Sequence, residues 1–154
     1  PQTVFVDVNL RPPWWTPQAV QELLQGAHWV KLNSDELALL AGDTGSADPQ
    51  RELLQRYRLR GLLVTRGARG AELLLSTGER LQVAPVADNE VVDTVGAGDA
   101  FAAVMLLGLL NDWPMQVILE RAQQFAGALV GRRGATVKDR TFYRTFSQQW
   151  QLTH

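Results

Sequence analysis

The sequence predicts an α/β fold built on a mostly parallel sheet, with helices on both faces and a short antiparallel meander at one edge. Three observations carry this. Short apolar, β-branched runs alternate with helical stretches as far as Thr65. Capping residues and Xaa-Pro pairs punctuate each switch. Two glycine-bounded strands then follow, and from Asp99 onward the pattern is helical.

Val4 to Val8 reads as a buried strand, closed by Asn9 and the pair Pro12-Pro13. Thr16 is placed to cap a helix with Pro17 at its first position, Val20, Leu23 and Leu24 on one face, and an end near Gly26. Trp29 to Leu32 is a second strand running into Asn33-Ser34. Ser34 is the expected cap of a helix that closes at Gly42. Asp48-Pro49 opens another helix by the same cap-and-proline logic. Gly61 to Thr65 is a third buried strand, which Arg66-Gly67-Ala68-Arg69-Gly70 turns back into Ala71 to Leu75. Gly78-Glu79 then turns the chain into Leu81 to Val83. The helices expected beyond are Ala100 to Asn111, Pro114 to about Val130, and Thr141 to Trp150.

A chain of 154 residues fits one domain with a real core. Apolar residues make up 45% and charged residues 20%, an ordinary globular mixture. The formal net charge of -1 gives no general pull toward nucleic acid or an anionic membrane. With no cysteine, disulfides, thiolate catalysis and Cys-based zinc sites are excluded. The longest nearly apolar run, Ala100 to Leu110, is too short to span a bilayer. No basic-then-apolar leader opens the chain, and a cytoplasmic location is expected. The start at Pro1, directly before a buried strand, suggests a fragment or a processed product. His28 and His154 have no partner spacing that suggests a metal site. Trp14, Trp15 and Trp29 can stack on a sugar or pack, and packing is the commoner use of such rings.

The segment Gly96-Ala97-Gly98-Asp99 admits three readings. A phosphate-binding P-loop requires a Lys-Ser or Lys-Thr after the glycines, and none is there. A dinucleotide fingerprint requires a small third residue and a following strand, whereas Phe101 and helical sequence stand here. The third is a helix N-terminus used as an anion hole. Glycines let the backbone approach a phosphate, unpaired amides from Ala97 to Asp99 point at it, and Asp99 takes a proton from an attacking hydroxyl. Taken alone, the residues also suit a plain tight turn with an acidic first helical turn.

The wider segment Asp93-Thr94-Val95-Gly96-Ala97-Gly98-Asp99-Ala100-Phe101 resembles the D-T-x-G-A-G-D-x-F signature of the ribokinase/PfkB family of carbohydrate kinases. Three more stretches follow the family's order. Asp7-Val8-Asn9-Leu10-Arg11-Pro12 resembles the D-x-N-x-R-P stretch of fructokinase-like members. Asn33-Ser34-Asp35-Glu36 is similar to the N-x-x-E motif. Val64-Thr65-Arg66-Gly67-Ala68-Arg69-Gly70-Ala71 is similar to the V-T-x-G-x-x-G segment beside the nucleotide.

The resemblance implies a ribokinase-like, Rossmann-type core and ATP- and magnesium-dependent phosphorylation of a sugar or related alcohol. Asp99 would be the general base, with the amides of Gly96, Ala97 and Gly98 on the transferred phosphoryl. Thr65, Gly67 and Gly70 would line the nucleotide, with Gln123 where several members have Asn near the adenine. Arg132-Arg133-Gly134-Ala135 resembles a further run near the nucleotide, and equally suits a solvated helix end. Asp7, Asn9 and Arg11 would face substrate or phosphate. Asn33 and Glu36 would act on Mg2+ through water, while Asp93 and the Val95 carbonyl would hold a monovalent cation, K+. Each of these has a plainer use: Asn33 as a strand-end turn residue, Glu36 as a complement to a helix N-terminus, Asp7 as a buried satisfied carboxylate. It is the ordered set that favours the kinase reading.

Members of that family are considerably longer. The chain would therefore be the C-terminal, nucleotide-binding and catalytic part, without the N-terminal sugar-binding and lid part. It is expected to self-associate or to pair with that half.

Overall fold

The computed structural model of the chain describes residues 2–42, 45–85, 96–130 and 137–152. It divides into two compact units, Pro1–Pro85 and Val86–His154. Asp93, Thr94, Val95, Arg132, Arg133, Gly134, Ala135 and His154, singled out above, lie outside the described residues.

In the first unit the order is β1 (Phe5–Asp7), α1 (Pro17–Gln25), β2 (Trp29–Asn33), α2 (Ser34–Ala41), α3 (Pro49–Arg56), β3 (Gly61–Thr65), β4 (Ala71–Leu75) and β5 (Arg80–Val83), with one 3₁₀ turn over Gly67–Arg69. The α1 cap is Thr16, whose Oγ1 accepts the Ala19 N–H at 3.2 Å, ahead of Pro17 at the first helical position. The α3 cap is Asp48, which accepts the Arg51 N–H at 3.1 Å. One cap differs from expectation. Asn33, not Ser34, caps α2, because Asn33 has Glu36 three residues on and the two bond reciprocally, side chain to backbone.

The five strands lie in chain order, β1-β2-β3-β4-β5. β1, β2 and β3 are mutually parallel, and β3, β4 and β5 antiparallel, so the sheet is mixed, with the expected meander forming one side of it. Connection length explains the switch. Helical crossovers join the parallel strands, while a few residues join the antiparallel ones. On one face Val30, Leu32, Leu62, Val64 and Leu74 form a single core with Val20 and Leu24 of α1, Leu37 of α2, and Leu53 and Leu54 of α3. On the alternate positions Trp29, Lys31, Leu63 and Leu73 are buried too. Central strands buried on both faces read as continuous apolar runs rather than alternating ones.

In the second unit are α4 (Ala97–Leu110), α5 (Met115–Val130) and α6 (Arg140–Gln149). α4 begins three residues before the expected Ala100, since Gly96 takes the capping position in the left-handed region at φ 83°. α6 has little apolar sequence of its own. It is held by rings: Phe125 of α5 packs against Phe142, Phe146 and Trp150 with centroids 5.0–6.0 Å apart. Among the described residues no helix is long and apolar enough to cross a membrane.

Candidate active site

The three parallel strands end on the same side of the sheet, and that is where each motif of the first unit lies. Asn33 and Thr65 are register partners at the ends of β2 and β3, and Asp7, the last residue of β1, pairs in register with Lys31. In open α/β sheets ligands bind beyond the carboxyl ends of the strands, where the loops carry freely chosen chemistry. The topology therefore brings Asp7, Asn9, Arg11, Asn33, Glu36, Thr65, Gly67 and Gly70 to one end.

Their individual settings differ. Asp7 accepts a hydrogen bond from Lys31 Nζ at 2.7 Å, forming an ion pair whose lysine is only 5% exposed. Removing one partner of such a pair leaves a buried charge unpaired, so Asp7 first serves Lys31. Lys31 escaped the sequence reading. A lone cation inside Trp29-Val30-Lys31-Leu32 was the available sign, because a charge in a buried strand needs a partner. Asn9 and Arg11 are exposed on either side of half-buried Leu10.

Glu36 is buried, and both its oxygens accept backbone amides: Oε1 from Leu10 at 3.0 Å and Oε2 from Asn33 at 2.8 Å. Asn33 Oδ1 accepts the Glu36 N–H at 2.9 Å. This set is a poor direct ligand group for Mg2+, which demands near-ideal octahedral oxygen geometry. The lone pairs left over on these oxygens can still meet a metal-bound water. Among the described residues there is no group of three or more His, Asp or Glu side chains able to hold a metal.

Thr65 Oγ1 donates to the Leu32 carbonyl at 3.4 Å, and its own carbonyl accepts from Ser34 Oγ at 3.4 Å. The turn after it is fixed by backbone and charge. The Arg66 N–H donates to the Gly70 carbonyl at 2.8 Å, and the Arg66 guanidinium reaches buried Glu72, which also receives Arg80 at 2.7 Å and Gln82 at 2.6 Å. Gly70 has φ 83°, and a Cβ there would sit 1.9 Å from the Val83 carbonyl oxygen, so no other residue fits. Gly67 has open space around it, which leaves its backbone approachable.

The tryptophans divide as packing predicts, in part. Trp29 is buried and Trp15 packs half-buried on the core, but Trp14 is 86% exposed. His28 Nδ1 accepts the Val4 N–H at 3.1 Å, a structural use.

In the second unit the Gly96 carbonyl accepts the Ala100 N–H at 2.8 Å, and among the described residues no side chain caps α4. As the first three residues of α4, Ala97, Gly98 and Asp99 have no intrahelical carbonyl partner for their amides among the described residues. Gly98 is itself helical, so its lack of a side chain matters for close approach rather than for φ. Asp99 is exposed in the first turn. Gln123 is half-buried midway along α5.

Comparison with known proteins matches residues 1–141 to the family described as pfkB family carbohydrate kinase. The chain belongs to the pfkB carbohydrate kinase family. Within it, the chain is 32% identical over 143 residues to the fructokinase of Escherichia coli, covering 86% of this chain and 46% of that protein. It is 36% identical over 129 residues to the aminoimidazole riboside kinase of Salmonella typhimurium, covering 76% and 38%. Among solved structures, a putative ribokinase II of E. coli superposes with a TM-score of 0.79 at 22% identity, over 96% of this chain and 49% of that one. The nucleoside kinase of Methanocaldococcus jannaschii gives 0.77 at 16%, over 95% and 48%. The fold is ribokinase-like. This pfkB chain spans about half the length of the curated fructokinase it matches.

Proposed function

We propose that the chain is the nucleotide-binding and catalytic part of an ATP-dependent sugar kinase, with a fructokinase-like acceptor preference. The observation that carries it is the start of α4: a left-handed Gly96, the first three amides of the helix behind it, and an exposed carboxylate at Asp99. Asp99 takes the proton of the acceptor hydroxyl as that oxygen attacks the γ-phosphorus of ATP, the bond to the bridging oxygen breaks and ADP leaves. The amides of Ala97 and Gly98, with the Gly96 turn, hold the negative charge of the transferred phosphoryl. Thr65, Gly67, Gly70 and Gln123 serve the nucleotide, and Asn9 and Arg11 serve phosphate or acceptor. Asp7 acts through Lys31. Asn33 and Glu36 would hold Mg2+ through water, where it would neutralise charge on the nucleotide phosphates, and Asp93 and the Val95 carbonyl would hold K+. Phosphoryl transfer asks little more than this positioning and charge neutralisation.

Relatives about twice as long support a further part of the reading, that the acceptor is held by a preceding segment and that this segment pairs with the present chain. The same length favours one alternative, a nucleotide-binding portion that turns nothing over by itself. The decisive assay measures ADP release from ATP and Mg2+ with and without a sugar panel led by fructose. It is run on the present chain and on a polypeptide of the relatives' full length. Sugar-dependent ADP release by the longer protein is expected, and its absence with every sugar while ATP still binds would leave the non-catalytic reading.

A further inference from the structure

Beyond Val8 the first strand loses its ladder. The Val8 N–H makes a last bond to the Lys31 carbonyl at 2.8 Å, and the chain then leaves the sheet toward Asn9 and Arg11. What holds it next is a carboxylate 26 residues away: Glu36 Oε1 accepts the Leu10 N–H at 3.0 Å. The other oxygen accepts the Asn33 N–H at 2.8 Å, and Asn33 Oδ1 returns the bond to the Glu36 N–H at 2.9 Å. Glu36 is 7% exposed, so each of these bonds is made out of water. A buried carboxylate is costly unless hydrogen-bonded, and the bonds that satisfy it are charge-assisted and about twice as strong as neutral ones. The N-terminus of α2 adds its favourable dipole.

We infer that Glu36 is a positioning residue that ties the loop after β1 to the start of α2, and so sets where Asn9 and Arg11 stand. Leu10 is held from two directions, by Glu36 at its amide and by the core at its side chain. The exposed neighbours Asn9 and Arg11 inherit that placement. The side-chain length matters, because one carboxylate must reach its own helix cap and a loop from another strand together. Asp is a methylene short. Gln keeps one acceptor but turns an NH₂ toward an amide N–H that needs an acceptor. What Asn9 and Arg11 then contact rests on the kinase reading; the tether itself does not.

The test therefore has two independent readouts in the full-length protein. By amide hydrogen exchange, Glu36→Ala should speed exchange at Leu10 by about tenfold or more, the equivalent of losing one charged hydrogen bond. Glu36→Gln, which keeps a capping group and guards against misfolding, should give a smaller rise at the same amide. In phosphotransfer with fructose and MgATP, KM for one of the two should rise by about tenfold, and for the same substrate as in Arg11→Ala. Combining Glu36→Ala with Arg11→Ala should add little to KM, because both act through one loop. Unchanged exchange at Leu10 in both variants overturns the tether. So do fully additive effects of Glu36→Ala and Arg11→Ala on KM, which would mean that the two do not act through one loop. A wild-type protein without phosphotransfer would sink the kinase reading, and the exchange measurement would still decide the tether.

Discussion

Asp99 and Asp48 are both first-turn or capping carboxylates, and their surroundings set them apart. Asp99 is exposed at the start of α4 with no capping partner among the described residues. Asp48 caps α3 and is crossed by Arg51 and Arg80. The second is spent on structure, and the first is the general base proposed above. Asp99→Asn in the full-length kinase keeps the size and loses the basicity, so turnover should drop about 10²–10⁴-fold. ATP binding should hold or tighten as a negative charge leaves the phosphates, and near-normal turnover would remove Asp99 as the base. For Asp48, burial alone would raise the pKa, but hydrogen bonds from the Arg80 guanidinium, the Arg51 amide and the Arg51 side chain outweigh it and hold the carboxyl below its ordinary 3.8. A carboxyl lowered in the folded state stabilises above its unfolded value, and that contribution is lost as pH falls through the folded value. Asp48→Asn still caps the helix but cannot pair with arginine. Its stability deficit in urea unfolding should be full at neutral pH and shrink as pH drops below about 3.8. A deficit that stays constant with pH would mean that the ion pairs contribute nothing.

At the scale of the elements, α4 and α5 meet where Gly108 lies under Ile118. A Cβ on Gly108 would come within 2.5 Å of Ile118 Cγ1 and 2.8 Å of Cδ1. In an open helix, Gly→Ala would gain about 1 kcal/mol. Overpacking of this kind costs about 1–3 kcal/mol, so Gly108→Ala should be a net loss. Ile118→Ala alone should cost about 2–5 kcal/mol, and the pair should be more stable than the sum of the two by roughly 1 kcal/mol. A stabilising Gly108→Ala in denaturant titration would show that the helices separate freely. The sequence foretold these helices well, because Thr16-Pro17, Asp48-Pro49, Gly26 and Gly42 are local signals that act locally. Asn33 was legible too, through Glu36 at the right spacing, but a neighbouring Ser34 of equal capping strength obscured it. What one residue string does not display is register. The pairing of Asp7 with Lys31, the reach of Glu36 to Leu10, and the meeting of Arg66 and Arg80 on Glu72 all join positions that only the sheet brings level. The motifs of the first unit fall at the carboxyl ends of the parallel strands, whereas the partners that orient their residues come from tertiary structure.

For the molecule as a whole, the sheet's first strand decides the last prediction. β1 pairs only with β2 among the described residues and stands at the end of the strand order. The backbone of Val4 and Val8 is bonded toward β2, so by the alternation of a parallel ladder Phe5 presents its own N–H and C=O to the other side. An unpaired edge of this kind is a template for another strand, and natural sheets cover it or blunt it with charge, proline or a bulge. None of these devices occupies Thr3 to Val6. We therefore expect the isolated chain to associate, either with another copy or, when it is supplied in trans, with the further segment proposed above. Size-exclusion chromatography with light scattering should show a species heavier than the 17.1 kDa chain, increasing with protein concentration. Phe5→Pro deletes the outward N–H while sparing the bonds to β2, and should return the chain toward monomer. A clean wild-type monomer at high concentration would mean that the edge recruits nothing. Association that Phe5→Pro leaves untouched would move the contact to another surface, for which exposed Trp14 and Leu110 are the apolar candidates.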